Sequence, residues 1–348
     1  MASGERGAGP AVGVAVDGGA DVVDAPPQAA TAKRRVERRG RQAVRMRGTV
    51  TPMVRVFISI VAIVSLASTF LACQRSSSSP RAPVAPDGGT PCGDLGCMQF
   101  DSVQDAMRYV LSEDVRVVAI GEAHAPAGAT ASSAAKRFTE EILPLLAGRA
   151  SDLLVELMKP PEACVQATAE VREKQAPATS QQAPTNQNEY VAMGERARAL
   201  GIVPDMLRPS CADMDRVRDA GDEAIEASLA MIARLSTVQA EKLLDRDARS
   251  DGDRDKAVVL YGGMLHNDLE PAADQRAWSY APALDAKTGG KLVAVDLVVP
   301  EFIGDDATWT ALPWVARYQR ARTQLGGKTT VFRTAEKNYV VVFAASAP

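Results

Sequence analysis

Short apolar runs alternate with amphipathic segments along most of the chain. The runs Arg116–Ile120, Leu153–Met158 and Ala257–Tyr261 are largely apolar over their whole length, which is typical of strands buried on both faces of a sheet. Between them, apolar residues return every three or four positions, the spacing that favours helices. Strands that alternate with helices predict an α/β fold of three layers, with a mostly parallel central sheet and helices on both faces.

The same pattern predicts the remaining elements. Helices are expected from Ser102 to Leu111, from Ser132 or Ser133 to Leu146, over Tyr190–Leu200 and from Asp213 to about Asp247. Further strands are expected at Ile202–Val203, Leu292–Val298, Thr330–Arg333 and Tyr339–Phe343. The last two are close enough in the chain to form a late antiparallel hairpin. Residues 172–188 are rich in Gln, Pro, Thr and Asn, and they predict a mobile flap or a disordered loop.

The N-terminal part of the chain carries an export pattern. Arg45, Arg47 and Arg55 precede the uncharged run 56–72, which ends in a small residue directly before Cys73. A basic region, an apolar region and a small residue before the cut are typical of a secretory signal. Cysteine at the cut resembles the lipobox of bacterial lipoproteins, in which the thiol is lipidated. The alternative is an uncleaved membrane anchor, for which the run is at the short limit.

Either reading places the body of the protein outside the cytoplasm. We therefore expect a bacterial cell envelope protein that is lipid-anchored through Cys73 and faces the periplasm or the exterior. Residues 1–52 are interpreted as a disordered basic preface or a mis-assigned start, with Met53 or Met46 as the true start. Residues 53–73 form the predicted signal peptide, and the Pro-, Gly- and Ser-rich residues 74–100 form a flexible tether. Residues 101–348 form a single α/β domain.

Charge excludes one class of partner. The net charge of the 348 residues is −3, but residues 1–73 hold 10 basic and only 5 acidic residues, so that the remainder of the chain, with 30 basic and 38 acidic residues, is acidic. An acidic body repels nucleic-acid phosphates, and no helix-turn-helix, zinc-finger or aromatic-plus-basic pattern is present. Nucleic-acid binding is therefore not expected.

Four cysteines remain after Cys73, namely Cys92, Cys97, Cys164 and Cys211. An even number of cysteines outside the cytoplasm predicts two disulfides. The simplest of the three connectivities joins Cys92 to Cys97 and Cys164 to Cys211. Four free thiols are not expected in an oxidising compartment, and a four-cysteine zinc site is weakly indicated because only one close pair is present.

The chain contains only two histidines, and both occur in the same setting. Each is the last residue of a Gly-x-x-His sequence that follows a predicted buried strand, ending at His124 and at His266. In open α/β sheets, ligands bind beyond the carboxyl ends of the strands. Glu156 lies inside an apolar strand, where an unpaired carboxylate is costly, and Glu122 follows the glycine that ends the first strand. These four residues predict one site.

Two imidazoles and two carboxylates permit three kinds of chemistry. His124, Glu156 and His266 can hold a divalent metal that activates water. The set of Glu122, His124, Glu156 and His266 can also act without metal as general base and acid in hydrolysis. Either histidine can instead be an axial ligand to haem iron. The alternative to all three is a buried hydrogen-bonded cluster with no chemistry.

These residues also carry a family resemblance. The segments Val118–His124, Leu153–Met158 and Val258–His266 resemble the motifs of the superfamily that joins ChaN-like haem-binding lipoproteins, erythromycin esterases and the TIKI/TraB proteases. The resemblance covers roughly residues 115–296 and implies a ChaN/TIKI-like domain. It places Glu122, His124, Glu156 and His266 at the family's site positions. Tyr261 and Tyr280 are candidate haem ligands by residue type.

The leading prediction is a hydrolase, with a small molecule or a peptide as its ligand. His124 or Glu122 would activate water, and His266 would bind metal or stabilise the developing oxyanion. The second prediction is a haem- or metal-binding uptake lipoprotein without catalysis. The third is a structural envelope protein with a relict site.

Overall fold

The computed structural model of the protein describes residues 88–111 and 114–346. The predicted preface, the signal peptide, Cys73 and residues 74–87 of the tether lie outside the described residues, so the expectations for them stay predictions. Within the described part of the chain, no helix is long and apolar enough to cross a bilayer.

One sheet organises the described residues. Its strands are β1 (Thr90–Pro91), β2 (Cys97–Phe100), β3 (Val117–Glu122), β4 (Ala150–Met158), β5 (Val203–Leu207), β6 (Ala257–Gly263), β7 (Leu292–Val298), β8 (Thr329–Ala335) and β9 (Asn338–Val342). Their order across the sheet is β1-β2-β8-β9-β7-β3-β6-β4-β5. From β9 to β5 all neighbours are parallel, whereas β8, β2 and β1 are antiparallel to their neighbours. This confirms the predicted α/β fold with a mostly parallel sheet and a late hairpin, β8–β9.

Nine helices surround the sheet in the described residues. They are α1 (Val103–Val110), α2 (Ala134–Arg137), α3 (Val165–Thr179), α4 (Asn186–Ala199), α5 (Cys211–Asp219), α6 (Ala224–Asp247), α7 (Ala281–Lys287), α8 (Ala307–Thr310) and α9 (Pro313–Leu325). Helix α2 continues through a π-helical turn, Phe138–Ile142, and a 3-10 turn, Leu143–Leu146. Ser102 and Ser133 cap α1 and α2 by accepting backbone N–H groups, as predicted for both positions.

Strict alternation along the central strands produces the three layers. In β3, Val118 and Ile120 pack into the cluster that contains α1, α2 and α4, whereas Val117 and Ala119 pack into the cluster that contains α6 and α7. Successive side chains of a strand point to opposite faces, so a strand that is apolar at every position requires a cover on both faces. Helices therefore lie on both faces, as the apolar runs predict.

The predicted flap or disordered loop at residues 172–188 is wrong. Helix α3 runs through the first half of this segment and α4 begins at Asn186. Gln, Glu, Lys and Ala are good helix formers, and each helix needs only a narrow apolar stripe to pack. Val171 provides that contact in α3, and Tyr190 and Met193 provide it in α4. Such narrow stripes are easily missed in a polar sequence.

The predicted helix over residues 213–247 is divided in two. Helix α5 begins at Cys211 behind a capping box of Ser210 and Asp213, and α6 begins at Ala224. Gly221 separates them with φ 61°, a left-handed conformation that glycine adopts without steric cost. The apolar spacing continues across the break because both helices pack against neighbouring elements, so periodicity alone did not reveal it.

The folded part of the chain begins before the predicted boundary at residue 101. Strand β2 pairs with β8, and Phe100 is buried against Tyr109. Residues 90–100 therefore belong to the sheet rather than to the predicted tether. The physical reason is that Cys97 and Phe100 bury their side chains in the fold. Because residues 74–100 as a whole are rich in Pro, Gly and Ser, their composition did not predict this burial.

Both predicted disulfides are present. Cys92 is bonded to Cys97, and Cys164 is bonded to Cys211. The first bond closes a short loop between β1 and β2. The second joins the loop that follows β4 to the loop that follows β5, 47 residues apart in sequence. The alternatives of four free thiols or a four-cysteine zinc site are therefore not observed.

Candidate functional site

The two Gly-x-x-His segments lie side by side. Strand β3 pairs with β6 in parallel, so that Gly121 is opposite Gly262 and Glu122 is opposite Gly263. Strand β4, which carries Glu156, flanks β6 on its other side. The carboxyl ends of three adjacent strands therefore present the four predicted site residues at one edge of the sheet, where ligands of open α/β proteins bind.

Glu122 and His124 form a hydrogen-bonded couple. Glu122 is 2% exposed, and its Oε1 accepts hydrogen bonds from His124 Nδ1 at 2.9 Å and from the Tyr190 hydroxyl at 2.6 Å. Its Oε2 accepts from the Tyr261 hydroxyl at 2.8 Å. Because the carboxylate accepts from Nδ1, the proton of a neutral His124 lies on Nδ1 and the lone pair on Nε2. Nε2 is then available as a base.

The couple shifts the pKa of the imidazole. Burial disfavours the charged form of His124, but the hydrogen bond and the negative charge of Glu122, with a further contribution from Glu156, raise the pKa above its usual 6.5. Burial and the charge of Glu122 raise the pKa values of Tyr190 and Tyr261 well above 10. Both phenols therefore stay protonated and act as donors to Glu122.

Glu156 and His266 form a second pair. Glu156 Oε2 accepts the backbone N–H of Gly263 at 2.8 Å, and its Oε1 lies 3.7 Å from His266 Nε2. His266 is 3% exposed, and its Nδ1 lies 2.7 Å from the carbonyl oxygen of Trp278. A carbonyl only accepts, so Nδ1 carries a proton and Nε2 is the atom that faces Glu156.

The two pairs meet above Gly263. The position that a β-carbon would occupy on Gly263 is 3.5 Å from His124 Nε2, 3.8 Å from Glu156 Oε2 and 3.9 Å from His266 Cδ2. These atoms come from both faces of the sheet. Glu122 is in line with Ile120 on the α4 side, whereas Glu156 is in line with Leu154 on the α6 side. His124, Glu156 and His266 thus face one small volume at the sheet edge, and Glu122 is connected to it through its hydrogen bond to His124.

Glycine is required at two positions around this volume. A β-carbon on Gly262 would overlap with the Glu156 carboxylate. A β-carbon on Gly121 would lie 2.6 Å from Asn267 Oδ1 and 2.7 Å from Met264 Cα. Gly121, which begins the first Gly-x-x-His sequence, and Gly262, which directly precedes the second, therefore allow the close packing of the site.

Sequence reasoning missed Asn267 and Asp296. Asn267 directly follows His266 and is 1% exposed, and its Nδ2 donates to Asp296 Oδ1 at 3.0 Å. Asp296 lies on β7 opposite Gly121 of β3, at the same sheet edge. Burial raises the pKa of Asp296 to about 7; the Asn267 hydrogen bond opposes this shift and the charge of Asp268 adds to it. A carboxylate inside an apolar strand, the signal that revealed Glu156, is equally present for Asp296.

Asp296 is expected to make the protein less stable as the pH rises. Its pKa is raised from 3.8 to about 7 on folding, so between these values the folded state binds more protons than the unfolded state, and stability falls with increasing pH. Asp296→Asn keeps an acceptor for Asn267 but has no carboxyl group to titrate. The decrease in unfolding free energy with rising pH should therefore be absent from this variant. The unfolding free energy of the variant relative to the wild type should grow by on the order of 2–4 kcal/mol between pH 4 and pH 8. Urea unfolding at several pH values measures it; a difference that stays constant with pH contradicts the assignment.

The predicted metal set of His124, Glu156 and His266 is not supported. Among the described residues, no group of three or more His, Cys, Asp or Glu side chains is arranged to hold a metal ion. One Glu156 oxygen already accepts the Gly263 amide, and His124 is held by Glu122 on the other side of the sheet. The donors therefore do not converge at the roughly 2 Å distances that a metal requires.

The predicted haem ligands Tyr261 and Tyr280 do not fit that role. Tyr261 is 2% exposed and donates its hydroxyl to Glu122. Tyr280 is 3% exposed, and burial, with the charges of Glu156 and Asp296, raises its pKa far above 10. Both phenols are buried, and their raised pKa values favour the protonated form. The cavity between Glu156 and Tyr280 has a volume of about 10 Å³, room for about one water molecule.

Comparison with protein-family models, with curated proteins and with solved structures finds no match to this chain. The resemblance to the ChaN, erythromycin esterase and TIKI/TraB superfamily therefore stays a prediction.

Proposed function

We propose that the protein is a hydrolase that cleaves an ester or amide bond of a small molecule or peptide by His/Glu-based general acid–base catalysis. One observation carries the proposal. The Nε2 atom of His124, oriented by the buried Glu122, faces the same volume as Glu156 and His266. An imidazole that is oriented through Nδ1 by a carboxylate is a recurrent general base in hydrolysis.

The proposed reaction begins with water in this volume. His124 Nε2 takes a proton from the water while its oxygen attacks the carbonyl carbon of the substrate. A tetrahedral intermediate with a negatively charged oxygen results. When it collapses, the bond to the leaving group breaks, and the leaving alcohol or amine takes the proton from His124. The products are an acid and an alcohol or amine, and the enzyme returns to its starting state.

His266 is proposed to stabilise the oxyanion. Its Nδ1 is fixed by the Trp278 carbonyl, and its Nε2 lies 3.7 Å from Glu156 Oε1. We infer that an N–H on this nitrogen donates to the oxyanion, because a donor that is already in place supplies much of the stabilisation of such intermediates. Glu122 is a positioning residue, since it acts through His124.

The experiment uses 4-nitrophenyl acetate and 4-nitrophenyl octanoate as probes with the purified full chain. Hydrolysis above the background rate that is lost in His124→Ala supports the proposal. The same protein is titrated with haem in the absorption spectrophotometer. If no ester is cleaved and a haem spectrum appears that depends on His124, the protein is a haem-binding lipoprotein without catalysis, and the hydrolase proposal is overturned.

The site is proposed to work in the bacterial cell envelope, on a protein that is lipid-anchored through Cys73 and faces the periplasm or the exterior. Cys73→Ser is then expected to release the protein from membranes or to leave its precursor uncut, because the lipidated atom is the cysteine sulfur. Membrane fractionation and the mass of the processed chain measure this. If both are the same as in the wild type, Cys73 is not the anchor.

A further inference from the structure

A groove lies beside the candidate site, at the carboxyl ends of β4 and β5. Its volume is about 560 Å³, within the range of pockets that hold small ligands. The groove is lined by Lys159, Pro160, Pro161, Glu162, Met206, Arg208, Pro209 and Ser210. The cavity behind Glu156 holds no more than about one water molecule. The bulk of any substrate must therefore lie outside that cavity, and the groove begins at Lys159, directly after β4, the strand that carries Glu156.

The walls of the groove are covalently fixed. One wall is the loop after β4, which contains Pro160 and Pro161, and the other is the loop after β5, which contains Pro209. The disulfide between Cys164, which follows the first loop, and Cys211, the first residue of α5 after the second loop, links the two segments. Proline restricts the backbone, and a disulfide restricts the distance between the loops. A groove that is rigid before binding loses less conformational entropy when a ligand binds.

The charged side chains of the groove indicate the sign of the charge on its ligand. Arg208 is paired with Asp205 at 2.6 Å. Lys159 is exposed, and among the described residues it has no ion pair. Glu162 is the one acidic side chain in the lining. Among the described lining residues, Lys159 is therefore the cation that is free to pair with an anionic group of a ligand, and a carboxylate is an anionic group that a lysine binds.

We propose that this groove binds the non-reacting part of the substrate, and that the preferred substrates are extended esters or amides that carry a carboxylate. The inference rests on the proposed hydrolase function for its reaction, but not for its binding site. Lys159 comes three residues after Glu156 in the sequence, directly after the end of β4, so the Cα atoms of the two residues are no more than roughly 10 Å apart. The carboxylate of the substrate is therefore expected at about that distance from the bond that is cleaved.

The kinetic test compares two probes of equal chain length. The 4-nitrophenyl monoester of suberic acid carries a terminal carboxylate, and 4-nitrophenyl octanoate does not. The wild type should prefer the acidic ester, and Lys159→Ala should reduce the ratio of the two kcat/KM values about fivefold. Lys159→Glu should reduce the ratio further, since like charges repel. Lys242→Ala, which removes an exposed lysine of α6 outside the groove, is the matched control and should not change the ratio.

A binding experiment separates this inference from the proposed function. Suberate itself is titrated by calorimetry into the hydrolytically impaired His124→Ala variant, with and without Lys159→Ala. Binding that weakens about fivefold when Lys159 is removed supports the groove even if no ester is cleaved. Absence of suberate binding, or equal binding with and without Lys159, overturns it, whatever the hydrolysis assay shows.

Discussion

His124→Ala is expected to lower kcat/KM for ester hydrolysis by about 1,000-fold, the middle of the range that general base catalysis contributes. The Nε2 atom of this imidazole faces the shared volume, and its Nδ1 atom is hydrogen-bonded to the Glu122 carboxylate. Without it, the attacking water has no proton acceptor of comparable basicity. The measurement is the initial rate with a 4-nitrophenyl ester, with circular dichroism as a check that the variant is folded.

A second variant, Glu122→Gln, tests whether the charge of Glu122 acts through His124. The amide keeps the size of the side chain but carries no charge to favour the His124 imidazolium, so the loss of rate should be smaller than in His124→Ala. The pH at which kcat/KM reaches half of its maximum should move down, because the pKa of His124 is no longer raised. Glu140→Gln, an exposed glutamate on the turn after α2, is the matched control. Equal rates in His124→Ala and the wild type would show that His124 takes no part in the reaction.

Opening the Cys164–Cys211 disulfide is expected to lower the unfolding free energy by about 4 kcal/mol. The bond spans 47 residues of sequence, so it removes much conformational entropy from the unfolded chain. The Cys92–Cys97 bond spans only 5 residues, and its loss should cost about 2 kcal/mol. Urea unfolding of the Cys164→Ser/Cys211→Ser and Cys92→Ser/Cys97→Ser double variants measures both values.

The order of the two effects is the critical result. A smaller loss for the Cys164 pair than for the Cys92 pair would contradict the account of loop closure. Loss of the Cys164–Cys211 bond should also weaken suberate binding, since the bond fixes the two walls of the groove. The Cys92–Cys97 variant, whose bond lies at the other end of the sheet order, should bind suberate as the wild type does.

Much of the central sheet follows from the sequence, since strands that are buried on both faces need apolar residues at every position. For that reason β3, β4, β6 and β7 are evident as apolar runs. The same signal placed Glu156, because a carboxylate in such a run requires a partner. Asp296 in β7 carries this signal too, yet the histidine motifs drew attention to other strands.

Other features depend on contacts that leave no local pattern. Tyr190 holds Glu122 from 68 residues away, and neither residue indicates the other in the sequence. The groove beside Lys159 lies between the loops that follow β4 and β5, and only the strand order of the sheet shows that these loops are neighbours. Tyr261 was predicted by residue type as a haem ligand, but its hydroxyl is directed to Glu122.

The central claim is that Glu122 holds His124 as a strong, correctly oriented base. Because the chain has only two histidines, a nuclear magnetic resonance titration of the imidazole signals tests it directly, with His124→Ala to assign the peaks. We predict that His124 titrates with a pKa above 6.5 in the wild type, and that Glu122→Gln lowers this pKa because the charge that raises it is removed. A wild-type pKa at or below 6.5 that is unchanged in Glu122→Gln would contradict the account.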